Sequence, residues 1–268
     1  MFSAFVKLFQ RKKGDTPTES SKSPAKEQSR KAVRKGELGE YKINIQLDQM
    51  SKEYKHLHDL LIHNARGKSG YSQIDHVLLT PYAIFVIETK NYAGEIKGGR
   101  DDKQWSVNNK FQMLNPFHQN YGHIESLHNV IGTNKDDIVS LISFTRRCTF
   151  SVDPELRKIA SHDLIVYDIE LTEFINRKIN YIKLTTNQIR FSSEDIEKMY
   201  SELQRANITD VNIRSKHIAG LKEGAKVAGN TKCATCGKAV SEKVQSYCLS
   251  NERRFKGNVY CFEHQKDT

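Results

Sequence analysis

The sequence predicts an α/β protein, with a central mixed sheet flanked by helices and a small C-terminal zinc-binding domain. Strand-like and helix-like segments alternate along most of the chain. Residues 74–90 are apolar on both faces, as a buried hairpin would be. Four of the five cysteines lie between positions 233 and 261, which favours a metal site over a disulfide framework.

Composition and charge set the first limits. A chain of 268 residues holds one large domain, or a medium one with a small one. Its 37% hydrophobic and 28% charged residues exclude collagen, coiled-coil arrays and disorder throughout. The net charge of +10 belongs to residues 1–35 and 231–268, because acidic and basic residues balance over 36–230. The function of residues 36–230 must therefore depend on particular residues and not on net charge.

Residues 1–35 differ in composition from the rest of the chain. The first nine are mostly apolar, residues 11–13 are basic, and residues 14–34 are rich in Ser, Lys, Pro and Gln. This composition is typical of a disordered tether. Its apolar start either does nothing or makes a weak contact with an anionic membrane surface. The sequence has no signal-peptide cleavage pattern and no span of about 18 apolar residues, so we expect a cytoplasmic protein, free or peripheral at the inner face of the membrane.

Periodicity and capping residues divide the remainder. We expect an α/β domain over 36–206, a helical linker over 207–230 and the zinc domain over 231–268. Asn115 and Pro116 supply an N-cap and a first-turn proline for one helix. The predicted elements are a helix at 37–50, strands at 57–63 and 74–90, a helix at 115–131, strands at 138–144 and 164–167, and helices at 193–203 and 210–221.

The hairpin brings acidic and basic side chains together. If Pro81 and Tyr82 form a two-residue turn, Asp75 faces Glu88 on the neighbouring strand. Lys90, two residues beyond Glu88, projects from the same face. Buried carboxylates need compensation, and a divalent cation such as Mg²⁺ would compensate two at once. Lys90 would then orient or deprotonate a water, or stabilise charge developing on phosphorus.

The Glu-x-Lys spacing alone is weak evidence. It occurs four times, but only Glu88 and Lys90 end an apolar strand; the other pairs lie in polar surroundings. The alternative is a purely structural role, in which Glu88 and Lys90 form an ordinary ion pair at the strand end and Asp75 caps the neighbouring strand.

Several ordered motifs resemble the nuclease-related domain, NERD, of the PD-(D/E)XK nuclease-like superfamily. The resemblance covers roughly residues 36–150. The residues that carry it are Gly36, Glu37, Leu38, Gly39 and Glu40, then Gln73 to His76, Val86 to Asn91, Gly94, Trp105, and Asn115 and Pro116 with Gln119 and His123.

This resemblance implies a PD-(D/E)XK-type core that hydrolyses phosphodiester bonds. It assigns Asp75 and Glu88 to a Mg²⁺ or Mn²⁺ ion and Lys90 to the attacking water. Glu40 would add a carboxylate from the first helix, with Glu37 as the alternative on the same helix face. Gln119 matches the family's glutamine and lies off the apolar stripe of its helix, facing a cleft or solvent.

Two positions depart from the superfamily pattern. Ile74 stands where the superfamily name expects proline, although an aliphatic residue is common there in this subgroup. His123 stands where some relatives have a tyrosine, which puts a tyrosine role at this place in doubt. Residues His118, His123 and His128 are spaced five apart, so they cannot form one metal face and are expected at the surface or behind the site. Cys148 is expected to be a core thiol and Trp105 a packing residue.

The last 38 residues have metal-ligand spacing. Cys233 and Cys236 form one knuckle, and Cys261 with His264 forms another. Together they complete the tetrahedron of a structural Zn²⁺ site, without which so short a segment would hardly fold. Cys248 competes for a place, but it has no second ligand at short spacing and is left outside.

Basic and aromatic side chains alternate between the two knuckles, at Arg253, Arg254, Phe255, Lys256 and Tyr260. They suit phosphate neutralisation with base stacking on nucleic acid. The alternative is a hairpin with Phe255 and Tyr260 as its small core.

The sequence as a whole predicts a metal-dependent nuclease acting on nucleic acid, DNA in particular, with the zinc finger assisting DNA binding. The competing hypothesis is a non-catalytic module that binds nucleic acid or protein on a nuclease fold.

Overall fold

The computed structural model describes residues 39–67, 69–227 and 232–266. Helix α1 covers residues 39–48. The nine strands are β1 (Lys55–His63), β2 (Tyr71–Leu79), β3 (Ile84–Lys90), β4 (Gly94–Gly98), β5 (Gln104–Val107), β6 (Phe111–Leu114), β7 (Ile138–Phe144), β8 (Cys148–Val152) and β9 (Asp163–Tyr167). The other helices are α2 (Pro116–Ile131), α3 (Leu171–Thr186), α4 (Ser193–Ala206), α5 (Val211–Val227), α6 (Glu242–Ser250) and α7 (Glu252–Phe255).

Five strands form a mixed central sheet in the order β1-β2-β3-β7-β9. The first three are antiparallel, and β3, β7 and β9 are parallel. The predicted hairpin register is confirmed, since Leu79 pairs with Ile84 and His76 with Ile87. The turn is held by the Thr80 amide, which donates to the Ala83 carbonyl at 3.1 Å.

Helices cover both faces of this sheet, as the strands' double-sided apolar sequence requires. One face, with Ile74 and Val86, packs against α2 and α4. The other, with Phe85 and Ile87, packs against Ile43 of α1 and Ile175 of α3. Helix α2 has Asn115 as its N-cap, accepting from the Phe117 amide, so the predicted capping is confirmed.

A second sheet, in the order β6-β5-β4-β8, was not predicted as such. Trp105 is its packing centre, fully buried, with its indole N–H donating to the Gly99 carbonyl at 2.8 Å. A Cβ at Gly98 would lie 2.3 Å from the Trp105 ring, so only glycine fits there. Cys148 is buried in this region, as expected for a core thiol.

The chain after α4 packs back onto the edge strand β1. The Ile208 amide donates to the Leu61 carbonyl at 2.8 Å, and Arg214 pairs with Asp59 at 2.8 Å. The first turns of α5 therefore contact the α/β core.

Several predictions concern residues outside the described ranges. These are the tether over 1–35, its membrane contact and Glu37. Within the described ranges, no helix is long and apolar enough to cross a membrane.

Candidate functional site

The acidic residue of β2 holds the end of β3. Asp75 Oδ2 accepts the Thr89 amide and the Thr89 hydroxyl, each at 2.7 Å. The paired register stops at His76 and Ile87, one step before Asp75 and Glu88. Asp75 thus bonds to the neighbouring strand's backbone through its side chain.

Glu88, Lys90 and Gln119 form a closed triangle of charged and polar atoms. Lys90 Nζ donates to Glu88 Oε1 at 2.6 Å and to Gln119 Oε1 at 2.8 Å. Gln119 Nε2 completes the triangle by donating to Glu88 Oε1 at 2.7 Å. Because α2 lies on this face of the sheet, its glutamine meets the strand-end acid, not plain solvent.

His123, one turn further along α2, is buried beside the second oxygen of Glu88. Its Nε2 lies 3.2 Å from Glu88 Oε2 without the alignment of a hydrogen bond, and no other described residue bonds that oxygen. Its Nδ1 lies 2.7 Å from the Ser72 hydroxyl. A Ser72 hydroxyl donating to Nδ1 would leave the proton of a neutral imidazole on Nε2, facing the carboxylate. His123 therefore supports the site from behind, in agreement with one of the two places expected for it.

The two acids have opposite electrostatic environments. Burial and the negative charge of Glu88 raise the pKa of Asp75 well above its usual range, and Glu40 adds to this effect. Burial alone would also raise the pKa of Glu88, but Lys90 and His123 outweigh it and lower that pKa to about 2. Burial opposes the charge of Lys90, yet its pKa is raised because Glu88 and Asp75 favour the ammonium. Lys90 and His123 thus compensate the negative charge of Glu88, whereas burial and the charge of Glu88 disfavour a negative charge on Asp75.

A small cavity of about 50 Å³ opens beside these groups at the ends of the parallel strands. Glu40 of α1, Thr89 and Lys90 line it, together with Ser143 of β7. The hydroxyl oxygen of Ser143 is buried without a hydrogen-bond partner among the described residues. Glu40 and Lys90 thus face one space, where the first helix meets the strand ends.

The comparisons with known proteins agree with this geometry. Residues 35–145 match the family model described as the nuclease-related domain, NERD, and this range contains all the residues above. Over these residues the chain is similar to the nuclease-related domain. The matched range contains α1, the β2–β3 hairpin, helix α2 and the parallel strand β7, and the central sheet is completed beyond it by β9.

One curated relative extends the similarity beyond the domain. An uncharacterized protein of Bacillus anthracis is 28% identical over 191 residues, covering 69% of this chain and 82% of its own length. No solved structure matches the chain significantly.

The four C-terminal residues predicted as ligands come together outside the matched range. The ligand atoms of Cys233, Cys236, Cys261 and His264 all lie within 4.8 Å of one another. The sulfurs of Cys236 and Cys261 are 3.9 Å apart, close to the roughly 3.8 Å expected for two thiolates on one tetrahedral Zn²⁺. Burial opposes ionisation, but backbone hydrogen bonds at Cys261, Cys236 and Thr235 lower the pKa of Cys233 to about 5. The cluster could bind a metal such as zinc.

Cys248 lies apart from this cluster. Its Sγ accepts the Tyr260 amide at 3.4 Å and the Gln265 amide group at 3.4 Å, and it is fully buried. A thiol engaged in the small core is consistent with leaving it outside the ligand set.

The segment between the knuckles is not a hairpin. Residues 252–255 form helix α7, and Phe255 is 1% exposed. The suggestion that Phe255 stacks on a base is therefore wrong, because its ring fills the module's core. Arg254 is exposed, and the side chain of Arg253 lies outside the described part of the structure.

Sequence reasoning missed the groups that hold the site in place. Thr89 fixes Asp75, and Ser72 holds His123. Asn120 Nδ2 donates to the Val86 carbonyl at 2.9 Å and so docks α2 on the sheet. A hydroxyl directly after Glu88 was the available signal for Thr89; nothing local marked Ser72.

Proposed function

We propose that this protein is a divalent-metal-dependent nuclease that hydrolyses phosphodiester bonds in DNA. The observation that carries the proposal is the contact of Glu88 with Lys90 and Gln119 at the end of β3, with the Asp75 carboxylate bound to the adjacent Thr89 and with Glu40 lining the cavity next to Lys90.

The residues fit a hard cation. Burial and the charges of Glu88 and Glu40 raise the pKa of Asp75, and a bound cation would offset that effect; Glu88 Oε2 is buried, with His123 Nε2 at 3.2 Å. Asp75 and Glu88 would hold Mg²⁺ or Mn²⁺, with Glu40 as a further carboxylate. Such an ion supplies Lewis acidity and a more acidic bound water.

The remaining groups act through charge and orientation. The raised pKa of Lys90 favours its ammonium, which suits stabilising a phosphate's negative charge better than accepting a proton. Gln119 fixes the ammonium by accepting from it while donating to Glu88. His123 buttresses Glu88 from the side away from the cavity.

Basic side chains near the cavity support a nucleic-acid substrate. Arg146 and Arg147 are exposed beside Thr145, which lines the cavity, and Arg147 bonds Asn91, another lining residue. Guanidinium groups at this place suit the phosphates of a DNA backbone.

The C-terminal module would assist DNA binding as a zinc finger. Phe262 is 72% exposed with the Lys266 ammonium 5.7 Å from its ring centroid, so it offers a stacking surface next to a positive charge. Phe262 replaces Phe255 in this role.

The test is cleavage by the purified full chain. Plasmid, linear duplex, single-stranded DNA and RNA are incubated with Mg²⁺ or Mn²⁺, and products are resolved on gels. We expect DNA cleavage that Glu88→Gln and Lys90→Met each reduce about 10²-fold or more. Lys97→Met is the matched control, because Lys97 has the same Glu-x-Lys spacing but is exposed.

The alternative is a binding module without catalysis. It is favoured by one observation: Glu88 Oε1 already accepts from both Lys90 and Gln119. DNA binding without metal-dependent cleavage in any of the assays would select that alternative and overturn the nuclease.

A further inference from the structure

Three histidines and an aspartate gather on the face of the central sheet opposite Glu88. His58 and His76 are direct partners across β1 and β2, and His56 lies on the same face two residues before His58. Asp48 sits at the end of helix α1, which covers this face. None of these side chains belongs to the candidate nuclease site.

The spacing of the imidazoles matches that of two ligands on one ion. His56 Nε2 and His76 Nδ1 lie 3.4 Å apart. That is long for a hydrogen bond, whereas two nitrogens bound at about 2.0–2.1 Å with a tetrahedral angle are about 3.4 Å apart. The separation therefore needs no rearrangement to accept a small cation.

The other ring nitrogen of His56 has the partner that metal-bound histidines usually have. Its Nδ1 lies 2.8 Å from Asp48 Oδ1. The carboxylate holds the proton on Nδ1 and leaves the Nε2 lone pair directed at His76. A carboxylate, a histidine and a metal in this order form a recurrent arrangement.

The hydrogen bonding of His76 is incomplete without a further group. Its Nε2 is buried and has no partner among the described residues. If Nε2 carries the proton, the lone pairs of His76 Nδ1 and His56 Nε2 face each other across 3.4 Å. If Nδ1 carries it, Nε2 keeps a buried, unsatisfied lone pair, which costs about 1–3 kcal/mol. A cation between the two rings removes the repulsion in the first case, while the Nε2 proton of His76 remains without an acceptor among the described residues.

We propose that His56, His76 and His58 bind one transition-metal ion of the class that prefers imidazole, such as Zn²⁺, with Asp48 orienting His56. His58 is exposed, with its ring centroid 5.9 Å from that of His56, and would supply the third nitrogen by turning its side chain toward the pair. Three nitrogens and an open position suit Zn²⁺, Ni²⁺ or Cu²⁺ and not Mg²⁺.

A bound ion would fasten α1 to the sheet. Asp48 is near the end of the helix whose first described turn carries Glu40, so one helix would contribute to both metal-binding regions. The site is separate in chemistry from both the carboxylate site and the cysteine cluster.

The test is calorimetric titration of the full chain with Zn²⁺, after the cysteine cluster has been loaded with one equivalent. We expect one further equivalent to bind, and the combined His56→Gln and His76→Gln variant to lose it. Glu88→Gln, which alters the carboxylate site, and His118→Gln, which removes an exposed histidine of α2, should retain it.

A milder variant tests the site in case the double histidine variant does not fold. Asp48→Asn changes an exposed side chain and should weaken the further equivalent about 10–100-fold without abolishing it. With Cu²⁺ as the probe, electron paramagnetic resonance should show nitrogen hyperfine splitting that the double histidine variant loses. The proposal is overturned if no further equivalent binds, if it survives the double variant, or if Glu88→Gln abolishes it.

Discussion

Removing the Lys90 ammonium should destabilise the fold by leaving Glu88 charged and buried. Lys90→Met keeps most of the side chain's volume but deletes the donor that lies 2.6 Å from Glu88 Oε1. Glu88 is only 3% exposed, so solvent cannot replace the lost partner. Breaking a buried pair in this way typically costs about 3–5 kcal/mol.

The structure gives a similar magnitude. The pKa of Glu88 falls from an ordinary 4.5 to about 2 in the folded protein. At 1.36 kcal/mol per unit, this difference is worth about 3 kcal/mol, to which Lys90 is the largest favourable contributor. Because the folded pKa is depressed, this stabilisation is present above about pH 4.5 and is lost as the pH falls through about 2.

In Lys90→Met, burial should instead raise the pKa of Glu88, so its carboxylate becomes a cost at neutral pH and is neutralised in mild acid. The free energy of unfolding, from urea titrations followed by circular dichroism, should differ most between wild type and variant at pH 7, less at pH 4, and converge as the pH falls toward about 2. Lys97→Met, at an exposed lysine, should change it by less than about 0.5 kcal/mol. Adding Glu88→Gln to Lys90→Met should recover part of the loss. A loss below about 1 kcal/mol, or one that is the same at pH 7 and pH 4, would refute this reasoning.

The contacts described above give three more predictions. Asp75→Asn should raise the free energy of unfolding by about 0.5–2 kcal/mol at pH 7, because the amide oxygen still accepts from Thr89 and the disfavoured charge is removed. The gain should vanish in acid, where the raised pKa of Asp75 leaves its carboxyl group neutral. An unchanged urea midpoint at pH 7 would contradict this prediction. Gly98→Ala should lower the free energy of unfolding by about 1–3 kcal/mol, because the added methyl group would lie 2.3 Å from the Trp105 ring. The fluorescence emission of Trp105, the one tryptophan of the chain, should also shift. A variant as stable as wild type would contradict the packing described. Chelation of a zinc ion bound at the cysteine cluster should unfold residues 232–266 while the α/β core keeps its helical circular dichroism signal. Amide hydrogen exchange should then become faster over these residues. Unchanged exchange would show that the module folds without metal.

The hairpin was predictable from sequence because its information is local. The two-residue turn at Pro81 and Tyr82 sets the register, which the structure shows from Leu79 and Ile84 to His76 and Ile87; that Asp75 faces Glu88 one step further stays a prediction. Helix α2 was predictable for the same reason, through its N-cap at Asn115.

Long-range contacts were not predictable in this way. Strands β4, β5 and β6 are four or five residues long, and their pairing depends on packing around Trp105. Helix α3 has an apolar stripe at Leu171, Phe174 and Ile175, but polar residues interrupt it.

In the candidate site, too, local features were predictable from the sequence and long-range contacts were not. Sequence patterns selected the two acids, the lysine and Gln119, whereas the contact of His123 with Glu88 depends on how α2 docks. The Cys and His cluster that could bind a metal was evident from spacing alone, but the burial of Phe255 was not, because a short helix and a hairpin place that ring differently.

The proposed nuclease requires Asp75 and Glu88 to hold one hard cation beside Lys90. The most direct measurement of this is an anomalous-scattering map from crystals of the full chain soaked in Mn²⁺. We predict a peak within bonding distance of oxygens from both acids, absent in Asp75→Asn crystals. A map without that peak, or with manganese bound only elsewhere, would contradict the proposed site.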